Sequence, residues 1–126
     1  MVTCARSVYA ATAALLFLLA AAWADEELRP LAEAVRDLAG GDPEVRRAAA
    51  EELGERGCDS AETEAAVTAL IDALSDRDAG VRLAVLDSLA TIGSGAEMAV
   101  PGIVAALQAE AAGERAAAAR ALGAIA

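Results

Sequence analysis

The stretch Asp42-Pro43-Glu44-Val45-Arg46-Arg47-Ala48-Ala49-Ala50-Glu51-Glu52-Leu53 lies over Asp78-Ala79-Gly80-Val81-Arg82-Leu83-Ala84-Val85-Leu86-Asp87-Ser88-Leu89 at an offset of 36 residues. Asp42 meets Asp78, Val45 meets Val81, Arg46 meets Arg82, Ala48 meets Ala84 and Leu53 meets Leu89. A further offset of 33 adds Arg115, Ala117, Leu122 and Ile125. The same shifts work upstream, where Leu31, Val67 and Val100 coincide, as do Val35, Ile71 and Val104, and Leu38, Leu74 and Leu107. Agreement at many positions under fixed shifts marks an internal repeat rather than alanine richness alone.

Each repeat reads as two helices. In the first, apolar residues recur in steps of three and four (Val67, Leu70, Ile71, Leu74; Val100, Ile103, Val104, Leu107), which places them on one helical face. The second opens at Asp42 or Asp78, whose carboxylate can accept from the free N–H groups of the first turn. Pro43 follows at the first helical position, where its missing donor costs nothing. Gly57 and Gly93 stand where the second helices should stop. Ser94 and Glu97 have the spacing of a capping box that would start the third unit, with Pro101 in its first turn. The units are 26–57, 61–93 and 96–126, joined by turns at 39–42, 58–60, 75–78, 94–96 and 109–113. One such hairpin cannot cover its own apolar face; stacking the next against it can. The expected fold is therefore all-α, a right-handed α-α superhelix of three helical hairpins.

Residues 1–24 are of a different kind. Arg6 precedes an apolar run centred on Leu15-Leu16-Phe17-Leu18-Leu19, which ends at Ala22-Trp23-Ala24 before Asp25-Glu26-Glu27. That is the layout of a cleaved secretory signal peptide, and it is short for a membrane span. The expected mature chain is exported, periplasmic or extracellular, without stable membrane insertion. It would hold no aromatic residue, nine Arg against twenty acids (net −11), and one cysteine, Cys58, with no intrachain partner.

Composition excludes several chemistries. The 126 residues carry a net charge of −10 and contain neither His nor Lys. Imidazole acid–base catalysis, His-ligated metal and lysine Schiff bases are all out of reach. An acidic chain without Lys also makes a poor partner for phosphate backbones, so no nucleic acid is expected. Asp72, Asp76 and Asp78 are too widely spaced for a calcium loop. Gly93-Ser94-Gly95 lacks the third Gly, the Lys and the strand of a phosphate loop. The sequence thus predicts no catalytic residue, no metal and no cofactor. Arg47–Glu51 and Glu52–Arg56 have i,i+4 spacing and read as surface pairs. Leu83 and Leu86 align with Arg47 and Ala50, and with Ala116 and Ala119. They read either as packing of the middle unit or as a small apolar patch flanked by Glu51, Asp87 and Arg120.

The D-P-E-V-R-R-A-A-A-E-E-L-G pattern, repeated as D-A-G-V-R-L-A-V-L-D-S-L, resembles the HEAT repeat, in particular its short bacterial, PBS-lyase-like variety. The resemblance covers residues 26–126. It implies that Asp42, Asp78, Arg46, Arg82 and Arg115 link neighbouring repeats, and that second helices line a concave binding surface. Ala111 stands where the third unit would have its Asp, a departure that leaves that unit's cap and link open. Arg47, Glu51, Leu83, Leu86, Asp87 and Arg120 are then the candidate contacts for a protein or extended peptide. Two enzyme groups share the architecture. Bilin lyases work in the cytosol, whereas this chain reads as exported. Deoxyhypusine hydroxylase holds two irons with His-Glu pairs, which a chain without His cannot assemble. The leading expectation is a non-catalytic interaction scaffold. The alternatives are a lyase- or hydroxylase-related protein and the N-terminal fragment of a larger exported repeat protein. Because the pattern stops at Ala126 without a polar cap helix, self-association through the C-terminal face is also expected.

Overall fold

The computed structural model describes residues 29–59 and 61–126; the expected signal peptide lies outside them. Among the described residues there are six α-helices and no strand. They are α1 (Leu31–Leu38), α2 (Pro43–Arg56), α3 (Thr63–Ala73), α4 (Ala79–Ile92), α5 (Val100–Ala106) and α6 (Ala112–Ile125). They pair as α1/α2, α3/α4 and α5/α6, one pair per repeat. The all-α superhelix of three hairpins is the fold found.

Local chemistry accounts for the helix starts. Asp42 adopts an extended conformation, and its carboxylate accepts from the Glu44 N–H at 2.9 Å, with Pro43 opening α2. Asp78 accepts from the Val81 N–H at 3.1 Å. α6 starts at Ala111 without a side-chain cap, and relies on the alanines that favour helix intrinsically. The third unit departs from expectation at its entrance. Gly93–Ala99 is a 3-10 segment with a non-helical break at Ala96, and α5 begins only at Val100. Neither Ser94 nor Glu97 caps it, because the 3-10 turn brings the chain to α5 through Ala99, with Pro101 in the first turn. The run Ala79–Ala106 is long and apolar enough to cross a membrane by composition. Gly93, at φ 71°, and the 3-10 segment break it into shorter helices.

Two glycines do different work. Gly93 ends α4 in a conformation that side chains resist. Gly57 ends α2 at φ −65°, so close approach and not backbone freedom is what it provides: a Cβ there would lie 2.5 Å from Ile92 Cδ1.

The second helices make the most extensive contacts along the stack, α2 against α4 and α4 against α6. Bulk sits in the middle helix, where Val81, Val85, Leu86 and Leu89 are fully buried. The flanking helices meet it with Ala49 and Ala50 on one side and Ala117, Ala118 and Ala121 on the other. Ser88 is buried at the α2–α4 seam and donates to the Ala50 carbonyl at 2.7 Å. Gly54 makes that approach possible, since a Cβ on it would lie 2.7 Å from Ser88 Cβ. By contrast, a Cβ on Gly123, its counterpart in α6, would meet nothing within 4 Å. Gly54→Ala should therefore cost about 1–3 kcal/mol through overpacking, whereas Gly123→Ala should gain about 0.5–1 kcal/mol from helix propensity. Urea unfolding of the two variants measures both signs.

Candidate functional site

The fourth residue of each second helix is an arginine, Arg46, Arg82 or Arg115. From there a long side chain can reach back over the turn its own hairpin has just made. Arg46 Nη1 donates to the Gly40 and Gly41 carbonyls at 3.0 and 2.9 Å. Arg82 Nη1 donates to the Asp76 carbonyl at 2.6 Å, and Arg115 Nη1 to the Ala109 and Glu110 carbonyls at 2.8 and 2.6 Å. Gly40, Asp76 and Ala109 are equivalent positions in the repeat. The same nitrogen thus ties the same carbonyl three times, satisfying an acceptor in the turn that joins the two helices of each pair.

The remaining edge of the guanidinium joins repeats. Arg46 donates from Nε and Nη2 to both Asp76 carboxylate oxygens at 2.9 and 3.1 Å, a bidentate pair across the first junction. Both side chains are nearly enclosed, at 4% and 10% exposure. Arg82 Nε donates to Glu114 Oε1 at 2.8 Å across the second junction. The acids were not those that the resemblance implied. Asp42 and Asp78 are helix caps, and the carboxylates facing the arginines belong to Asp76, two residues before its cap, and to Glu114, in the first turn of α6. Glu114 is buried, so the third unit recovers from inside its helix the link that Ala111 cannot make. Sequence spacing hides this because the two acids occupy different repeat positions. The one signal was Glu114 itself, the sole acid of an alanine-rich helix.

A second charged cluster closes the first repeat. Arg29 donates to Glu52 and Asp37, and Arg56 donates to Glu62, Glu52 and the Arg29 carbonyl. Hydrogen bonding from Arg29, then from Arg56, holds the Glu52 carboxyl below the usual range despite partial burial. Burial opposes charge on Asp76, but the hydrogen bonds from Arg46 and the Asp78 N–H, with the charges of Arg46 and Arg77, together hold its carboxyl below the usual range as well.

The expected partner contacts divide. Arg47, Glu51, Asp87 and Arg120 are exposed on the outer face of the second helices. Arg47 pairs with Glu44 at 2.7 Å, not with Glu51, because three residues back is the nearer acid in this rotamer; Glu52–Arg56 does form, at 3.2 Å. Arg120 reaches Asp87 across the α4–α6 junction at 3.3 Å. Leu83 is half-buried and packs against the core. Leu86 is fully buried and available to no partner; it fills the space that Ala50 and Ala119 leave at their equivalent positions. Of the two readings of this pair, packing of the middle unit is the one found. Cys58 is disulfide-bonded. The lone thiol expected from the sequence belongs to a chain without residues 1–24; with them present there are two cysteines. Among the described residues, no group of three or more His, Cys, Asp or Glu is placed to hold a metal ion.

On the opposite layer, an open groove runs between α1 and α3, lined by Val35, Leu38, Ala69 and Ala73 with the Arg46–Asp76 pair beside it. A second lies between α3 and α5, beside Leu74, Gly102 and Glu114. One groove falls at each junction because first helices touch little across repeats, where second helices touch most.

A family model described as HEAT repeats matches residues 28–123. No curated protein matches the chain.

Because the Asp76 carboxylate is bound more tightly in its ionised form when folded, its contribution to stability is complete above about pH 5 and is lost as pH falls through about 4 and below. Asp76→Asn should cost about 2–4 kcal/mol at pH 7, since Arg46 is left enclosed without its counter-charge. The gap to wild type should shrink on acidification to pH 3, as followed by thermal melts across that range.

Proposed function

The chain belongs to the HEAT repeat family, and from that premise we propose that it is an exported scaffold that binds a basic, extended stretch of a partner protein along its second helices. HEAT repeats generally mediate protein–protein interaction. One observation carries the finer reading: the exposed face of α2 is acidic, with Glu44, Glu51 and Glu55 against Arg47, and Asp87 extends it onto α4, where Arg120 of α6 meets it. The pair that crosses this face, Arg120–Asp87, is itself solvent-exposed and therefore weakly held.

Packing supports the choice of this layer. Contacts between repeats are dense among second helices and sparse among first helices. A stack that is closer on one layer curves toward it, which favours the second helices as the concave side. A peptide laid there crosses several repeats at once. Affinity would come from many shallow, partly electrostatic contacts rather than a single anchor, because the described residues contain no aromatic side chain to serve as one.

The proposal makes no use of a catalytic step. The described side chains with shifted ionisation, Arg29, Glu52, Arg56 and Asp76, are all accounted for by ion pairs that join elements of the fold.

Titration with an Arg-rich peptide should give saturable, salt-sensitive binding, and its Glu-rich counterpart should give none. Charge reversal at Glu51 and Glu55, both exposed, should weaken binding at least tenfold without lowering thermal stability. Affinity indifferent to salt and to both reversals would refute the acidic face. Export is tested separately: intact mass of the chain recovered outside the cytoplasm should correspond to a start at Asp25, and recovery only of a cytoplasmic chain beginning at Met1 would remove the exported part of the reading.

A further inference from the structure

Glu51, Asp87 and Arg120 occupy one position in three successive second helices. The fold sets them side by side. Arg120 Nη2 reaches Asp87 Oδ1 at 3.3 Å across the α4–α6 junction. At the α2–α4 junction the residues next to them meet, where Ser88 donates to the Ala50 carbonyl at 2.7 Å. All three side chains are exposed. Asp87 is exposed although α2 and α6 pack on either side of its helix, so openness at this position belongs to the face and holds inside the stack.

Along this row the charges run negative, negative, positive. Among the described residues Glu51 has no cation within ion-pair distance, and Arg47, one turn before it, is taken by Glu44 at 2.7 Å. Glu55, also exposed, adds a second acid one turn further along α2. Asp87 and Arg120 hold each other by one contact between side chains that are 62% and 67% exposed, a pair worth little in water. A ligand that offers a base to Asp87 and an acid to Arg120 exchanges this one pair for two, and a further base adds a third at Glu51. A ligand with bases alone leaves Arg120 either competing for Asp87 or without a counter-charge. The net charge of −10 conceals this requirement, since it favours bases everywhere.

Spacing narrows the ligand further. Packed helices lie about 8–10 Å apart. A polyproline II segment has three residues per turn and rises about 3.1 Å per residue, so every third side chain returns to the same side after about 9 Å. A β-strand, with period two, would turn its third side chain away. We propose that the face of the second helices takes a polyproline II segment with a base, a base and an acid at every third position, and that Arg120 is the residue that selects the acid. This rests on the reading of the second helices as the binding face, and it replaces a generally basic ligand by one of mixed charge and fixed spacing.

Three end-blocked, labelled peptides serve as probes: Arg-Pro-Pro-Arg-Pro-Pro-Glu, the same peptide ending in Gln, and Arg-Pro-Pro-Arg-Pro-Glu, in which the acid is one residue too early. Each is titrated into the full chain at low ionic strength and followed by fluorescence polarisation. The first should bind about threefold more tightly than the second, the scale of an exposed ion pair; the overall charge of the chain predicts the opposite order. The third should bind no better than the second. Arg120→Gln should erase the difference between the first two, and Arg120→Glu should reverse it. Position 120 is exposed, so thermal melts of both variants should match wild type. Equal affinity of the first two peptides for wild type overturns the proposal, as does a preference for Glu that survives in Arg120→Gln. If Glu51→Arg then still weakens both peptides, the acidic face stands and only the charge order falls. If no peptide binds saturably, the acidic face falls and the proposal with it.

Discussion

The structure depends on an arginine doing two jobs from one position. At the fourth residue of a second helix, the guanidinium ties down the turn of its own hairpin with one nitrogen and reaches the next hairpin's carboxylate with its other edge. The planar, forked donor set makes this possible; a lysine could not hold both geometries at once. Intra-repeat shape and inter-repeat register are thereby set by the same group. A buried ion pair is poor evidence of net stability, since desolvation offsets much of its attraction. Its value here is specificity: only one stacking register brings Arg46 to Asp76 and Arg82 to Glu114 together.

That specificity matters because the core is thin. Alanine fills most of the seam, and each alanine removes little apolar area from water. Alanine-on-alanine contact discriminates weakly between registers. The chain compensates with a bulky middle helix between two small-residue neighbours, and with a buried hydroxyl on a glycine. Ser88 on Gly54 is a contact that a slipped register would break twice, by losing the hydrogen bond to Ala50 and by meeting a Cβ instead of open space.

The first and third repeats differ for a related reason. At the first repeat, the edge of α2 is closed by charges: Arg29, Glu52, Arg56 and Glu62 engage one another. At the third, Arg115, Ala119 and Gly123 keep the character of an interior edge while facing solvent. The polar face of the second helices is different again, acidic and lightly paired. Three surfaces with three chemistries follow from one repeated unit, because each repeat departs from the others at a few positions only.

The amino-acid sequence by itself determined the helical pairs, their number, the caps at Asp42 and Asp78 and the seam between units. These rest on local rules: period, capping geometry and the inability of one hairpin to hide its own apolar face. It also identified the arginines, which recur at constant spacing. Their acidic partners were not legible, because Asp76 and Glu114 share no position in the repeat and become equivalent only when two helices are brought side by side. Nor could spacing separate Leu86, enclosed, from Asp87, the next residue and exposed, or reveal that Gly93 leads into a 3-10 segment that bypasses the Ser94–Glu97 box. Those outcomes belong to tertiary structure, since they turn on distances between residues some thirty positions apart that no local periodicity encodes.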